Sequence, residues 1–125
     1  MFSNDAKFLS FVASTDMRSH QNKIVDLTST VFKVDLAAAK AGFGVVANAP
    51  NAGENAQVAV DGIQMVRAGG AVAYGEYLTS AASGFATQIT SGASQIVIGR
   101  AMAAAASGSL VPVFLRPTVV ATGAG

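Results

Sequence analysis

Every one of the chain's thirteen glycines lies between Gly42 and Gly125. Gly53, Gly62, the pair Gly69-Gly70, Gly75, Gly84, Gly92, Gly99 and Gly108 cut that stretch into pieces about one strand long. Between them stand apolar, β-prone runs, among them Gln57-Val-Ala-Val60, Ile63-Gln-Met-Val66, Gln95-Ile-Val-Ile98 and Leu110-Val-Pro-Val-Phe-Leu115. Glycine reaches backbone conformations closed to other residues, so glycines at such intervals mark tight reversals of a folded-back sheet. The runs do not alternate with long helices, which argues against a parallel α/β fold. The expectation is all-β: a compact β-sandwich or small β-barrel with short glycine-rich turns.

Upstream of the glycines, Lys23-Ile-Val-Asp-Leu-Thr28 and Thr30-Val-Phe-Lys-Val-Asp-Leu36 read as strands split by a Ser/Thr pair. In the second, Phe32, Val34 and Leu36 face one way and suit a buried side. Asp61-Gly62 is a favoured hairpin dipeptide and predicts a reversal between its flanking runs. Val72 to Leu78 forms an apolar segment bent at Gly75, and the polyalanine Ala103 to Ala106 an irregular or briefly helical connection between two strands. Nine of the fifteen formal charges lie in residues 1–40, so the front is more polar than the body, yet too short to hold a core of its own. The chain is therefore expected to form an N-terminal arm over residues 1–19, a β-rich domain over 20–116 and a flexible tail over 117–125. Phe2, Phe8 and Phe11 equip the arm either to fold over the body or to dock on another subunit, and Lys7 to Val12 reads equally as helix or strand.

Only 12% of the residues are charged, about half the usual ~25%. With 25 alanines as well, this surface is expected to be partly covered by neighbours in an assembly. The net charge is +1 and no lysine or arginine cluster exists, so the footprint of a nucleic-acid binder is missing. Arg67, Arg100 and Arg116 stand alone in neutral surroundings, as solvated side chains or as subunit or partner contacts. There is no cysteine, which excludes disulfides and thiol chemistry. No stretch reads as a secretion signal or a membrane span.

No catalytic, cofactor or metal site emerges. His20 is the only histidine, and beside Arg18, Gln21 and Asn22 it reads as a loop residue rather than as a ligand shared with Asp16 and Asp26. The serines lack a Gly-x-Ser-x-Gly elbow, and Gly69-Gly70 lacks the Lys-Ser/Thr ending of a phosphate loop. Glu54, Asp61 and Glu76 show no glycosidase pairing. Val66 to Leu78 resembles the turns of biotinyl and lipoyl carrier domains, but the last lysine is Lys40, upstream of that stretch, so the reactive group is missing. The chain is expected not to be an enzyme.

Residues 20–116 resemble the small capsid decoration, or cement, proteins of tailed bacteriophages. The resemblance rests on His20-Gln-Asn-Lys-Ile-Val25, Phe43-Gly-Val-Val-Ala-Asn-Ala-Pro-Asn-Ala-Gly-Glu54, Val58-Ala-Val-Asp-Gly62, Ala68-Gly-Gly-Ala-Val-Ala-Tyr-Gly-Glu-Tyr-Leu78, Ile98-Gly-Arg-Ala-Met102 and the closing Leu110 to Leu115 run. It implies a β-rich protein, commonly a homotrimer, that binds the major capsid protein on the outer surface of the mature head and stabilises the shell. It implies neither a cofactor nor a nucleic-acid or membrane partner. The alternative is another non-enzymatic β-rich virion component or a glycan-binding module, though the chain offers no tryptophan and only Tyr74 and Tyr77 as tyrosines. Phe2, Phe8, Phe11, Arg67, Arg100 and Arg116 are the candidate contact residues.

Overall fold

The structure is a computed structural model that describes residues 7–89 and 95–120. Strands account for 52% of it, which makes the protein all-β, as the glycine spacing predicts. The strands are β1 (Lys7–Ala13), β2 (Ile24–Leu27), β3 (Lys33–Leu36), β4 (Gly44–Val46), β5 (Asn55–Arg67), β6 (Tyr77–Ser80), β7 (Ala86–Gln88), β8 (Gln95–Ala101) and β9 (Leu110–Val120). They pair in the order β1-β3-β2-β4-β5-β9-β8-β6-β7, and β1 also pairs with β5.

That extra pairing closes β1, β3, β2, β4 and β5 into a ring, a small barrel with no free edge of its own. The remaining strands continue from β5 as a second sheet, and a parallel bridge between Ala68 and Ala86 brings β7 back to the end of β5. Strand β5 belongs to both halves. Its residues up to Asp61, which is paired with Lys7, lie in the ring; from Gly62, paired with Leu115, they lie in the second sheet. The expected hairpin at Asp61-Gly62 is therefore a crossing. Gly62 takes φ +87°, a left-handed conformation that redirects the strand between sheets without reversing it.

The core explains why several runs are apolar without alternation. Ile24, Val45 and Ala59 belong to one buried cluster together with Val66, Leu78, Ile98, Val111, Val113 and Leu115. Their sequence neighbours Val25, Val46 and Val58 belong to another, with Ala13, Met17 and Val34. Side chains alternate across a strand, so β2, β4 and β5 present one face to the inside of the ring and the other to the second sheet. Strands buried on both faces read as continuous apolar pairs. The ring meets the second sheet at a seam where a glycine lets backbones approach. At Gly84 (φ +79°), a β-carbon would collide with the backbone of Ile24.

Three expectations change on this frame. Residues 7–13, placed in the arm by sequence, form β1, antiparallel to β5 and parallel to β3, so this stretch is an integral ring strand. Pairing with β5 satisfies its backbone groups, a partner too distant in sequence for periodicity to reveal. Residues 1–6 lie outside the described residues. The expected tail is shortened as well, because β9 runs on through Val120, with Thr118 opposite Val97; residues 121–125 again lie outside. Phe32 is not on the buried face of β3. It sits in the turn before the strand at φ +63°, and Val34 alone of its expected face is fully buried. The polyalanine segment takes the irregular of the two forms expected for it, and Ala105 is held to Val72 by a pair of backbone hydrogen bonds of 2.9 Å.

Candidate functional site

The strand register of the second sheet sets three side chains in a row. Tyr77 on β6 lies opposite Arg100 on β8, and Arg100 lies opposite Phe114 on β9. All three side chains are exposed, Tyr77 by 54%. The guanidinium carbon of Arg100 stands 5.1 Å from the centre of the Tyr77 ring, and Arg100 Nε donates to the Gly75 carbonyl at 2.8 Å. Two residues along β9, Arg116 lies on the same side as Phe114, its guanidinium carbon 5.7 Å from the ring centre. Cations over aromatic faces are held electrostatically and keep the outer edge of each guanidinium available.

These side chains border an open groove of about 650 Å³, floored by Ile89, Val97 and Gly99. A smaller depression of about 360 Å³ adjoins it, sharing Phe114 and Arg116 and bounded by Lys7, Asp61 and Gly62. Arg100 and Arg116, isolated in sequence, thus meet on one surface. Neither Tyr77 nor Phe114, which carry the arginines, is among the contact residues expected from sequence, Tyr77 being named only as one of two tyrosines. Only the cross-strand register reveals them.

The other candidates do not join this surface. Arg67 is half-buried and donates from Nη1 to the Gly108 carbonyl at 2.8 Å, tying the end of β5 to the turn before β9. Phe11 is half-buried, edge-on to Phe43 with centroids 5.3 Å apart, and packs against the ring's core. Phe8 is exposed on β1 opposite Ala59. Phe2 lies outside the described residues. A second exposed apolar group crowns the β2–β3 turn, where Leu27, Val31 (77% exposed) and Phe32 (69%) stand together.

At the seam, Lys23 is buried with its Nζ 4.2 Å from the centre of the Phe85 ring and 2.8 Å from His20 Nδ1. Burial lowers its pKa from the ordinary lysine value, with a smaller push from the Arg67 charge. The His20 ring nitrogen is thus engaged inside the protein. On the surface, Arg18 donates from Nε and Nη2 to the Asp16 carboxylate at 2.9 and 2.8 Å and lowers its pKa to about 2. Among the described residues no group of three or more His, Cys, Asp or Glu converges as a metal site would require.

A family model of phage cement proteins matches residues 11–116. The chain belongs to the phage cement protein family. The match takes in the 20–116 stretch carrying the sequence resemblance and starts earlier, at Phe11 inside β1. The cement protein's fold is shared with the N base of head fiber protein gp8.5 of bacteriophage phi29, at a TM-score of 0.69 and 21% identity, covering 88% of this chain and 93% of that one. A comparison with curated proteins finds no match. Family membership gives this cement protein a structural role at the phage head and associates it with the capsid.

Proposed function

We propose that this cement protein binds the outer surface of the mature phage head as an oligomer, a homotrimer, and braces the shell by contacting the major capsid protein. The family match over residues 11–116 carries the reading. The fold suits it: β5 runs through both halves as one 13-residue strand, so contact surfaces on either half hold a fixed relation to each other. A symmetric oligomer sets several such patches against several capsid subunits, and simultaneous engagement multiplies weak contacts. Binding only the mature shell stabilises that state by mass action. No catalytic step is part of this role.

Co-sedimentation with mature and unexpanded shells of the source phage tests it. Saturable binding to mature shells alone, at a fixed ratio to the major capsid protein, is expected, together with a trimeric mass in sedimentation equilibrium. Failure to bind mature shells at high concentration would remove the capsid reading, and a monomeric mass the trimer.

A further inference from the structure

The groove beside Tyr77, Arg100, Phe114 and Arg116 combines an apolar floor with an excess of positive charge. Its charged borders, with those of the adjoining depression, are Lys7, Arg100 and Arg116 against the single carboxylate of Asp61. Asp61 accepts a hydrogen bond from the Gly62 amide at 2.9 Å, and nearby Glu76 turns back to accept one from the Ala73 amide at 2.8 Å. Among the described residues the only ion pair is Arg18 with Asp16, so none of the three groove cations is ion-paired. Lys7 stands opposite Asp61 across the β1–β5 pair, so Arg100 and Arg116 are the cations with no carboxylate set against them among the described residues, and they call for an anionic complement.

We propose that this groove docks an extended, acidic segment of a partner protein, with carboxylates meeting Arg100 and Arg116 and apolar side chains resting on Val97, Ile89 and Phe114. The guanidiniums are pre-organised for this. Each guanidinium stands over an aromatic ring, and among the described residues Arg100 donates only from Nε, to Gly75, which leaves its Nη groups for a forked contact with carboxylate. Adjacent strands lie about 4.8 Å apart, so the row from Tyr77 to Phe114 spans about 10 Å. An extended segment crosses that distance in about three residues and sends alternate side chains to the same face. Acidic and apolar side chains taken in turn at every second position therefore reach both the cations and the floor. A nucleic acid fits less well, because the floor holds aliphatic side chains and the cations do not continue as a run. On the capsid-binding reading the segment belongs to the capsid protein; the chemistry of the groove does not depend on it.

The test uses the full chain with Tyr74→Phe, which leaves Tyr77 as the only tyrosine and its fluorescence as a reporter at the groove. A capped Glu-Ser-Leu-Ser-Glu peptide, its Lys-Ser-Leu-Ser-Lys counterpart and a short oligothymidylate are titrated in turn. Saturable, salt-weakened binding of the acidic peptide alone is expected, about tenfold weaker in Arg100→Gln or Arg116→Gln and lost in the double variant. Arg116→Gln breaks no hydrogen bond among the described residues, so it remains informative if Arg100→Gln unfolds the chain. Equal binding of the two peptides, preference for the oligothymidylate, or an unchanged affinity in Arg116→Gln would overturn the proposal. Mature shells form the second arm. Shell binding by the wild type that is lost in the double variant supports the groove. Undiminished shell binding by a folded double variant overturns it and leaves the capsid reading standing. Peptide binding without shell binding supports the groove and removes the capsid reading.

Discussion

The backbone of Gly84 lies against the backbone of Ile24 across the seam between the two halves, so closely that no β-carbon fits between them. Gly84 also holds φ +79°, which a side chain disfavours. Gly84→Ala combines both penalties, about 1–2 kcal/mol for the left-handed backbone and a further ~1–3 kcal/mol for overpacking. The expected result is a fall in Tm of roughly 10 °C or more. Thermal denaturation followed by circular dichroism checks it, and an unchanged Tm would mean that the seam opens easily.

The crossing at Asp61-Gly62 makes a separate prediction. Were it a hairpin tip, an extra residue there would enlarge a loop at little cost. In a continuous strand, one inserted alanine after Gly62 shifts everything up to Arg67 by one position and turns buried Val66 toward solvent. The insertion is expected to abolish cooperative unfolding, whereas Gly62→Ala costs only about 1–2 kcal/mol for its φ of +87°. Urea titration of the two variants separates the cases, and an insertion no worse than the substitution would favour a hairpin.

The same two residues show what a sequence can convey. An Asp-Gly dipeptide between β-prone runs reports a left-handed glycine, which is present, but both a reversal and a sheet crossing use that conformation. The choice is made by Leu115, more than fifty residues away in the chain, which pairs with Gly62. Strand runs such as Gln95–Ile98 and Leu110–Leu115 were legible because β-branched residues and glycines act locally. The closure of the ring by Lys7–Ala13 was not, since its partner strand begins at Asn55. The groove had the same obstacle. Arg100 and Arg116 stood out as isolated charges, while Tyr77 and Phe114 acquired meaning only from pairing across β6, β8 and β9.

Lys23 predicts a pH dependence. Its ammonium is buried against Phe85 and His20, with no carboxylate in ion-pair contact among the described residues. Burial lowers its pKa in the folded state, so between that lowered value and the ordinary 10.5 the unfolded chain binds more protons than the folded one. Stability contributed by this group therefore rises with pH across that window. Below that window the desolvation cost is fully present. Lys23→Met removes the charge and keeps the length. It is expected to unfold at higher urea than wild type at pH 7, by about 1 kcal/mol, with the advantage shrinking toward pH 10. A variant less stable at pH 7 would show that the Phe85 and His20 contacts outweigh the desolvation cost.

Phe32 offers the opposite trade. A bulky aromatic at φ +63° is strained by about 1–2 kcal/mol, yet its side chain is 69% exposed, so packing returns little of that cost. Its carbonyl accepts a hydrogen bond from the Val12 amide at 2.8 Å, a backbone contact that any residue preserves. Phe32→Asn suits the left-handed region better and is expected to raise stability by about 1 kcal/mol. Strained residues persist where function retains them, and Leu27 and Val31 extend the exposed apolar group around Phe32. On the capsid-binding reading, the more stable Phe32→Asn variant should bind mature shells more weakly. Paired measurements of urea midpoint and shell co-sedimentation decide the point. A gain in stability with undiminished shell binding would place the contact elsewhere on the protein.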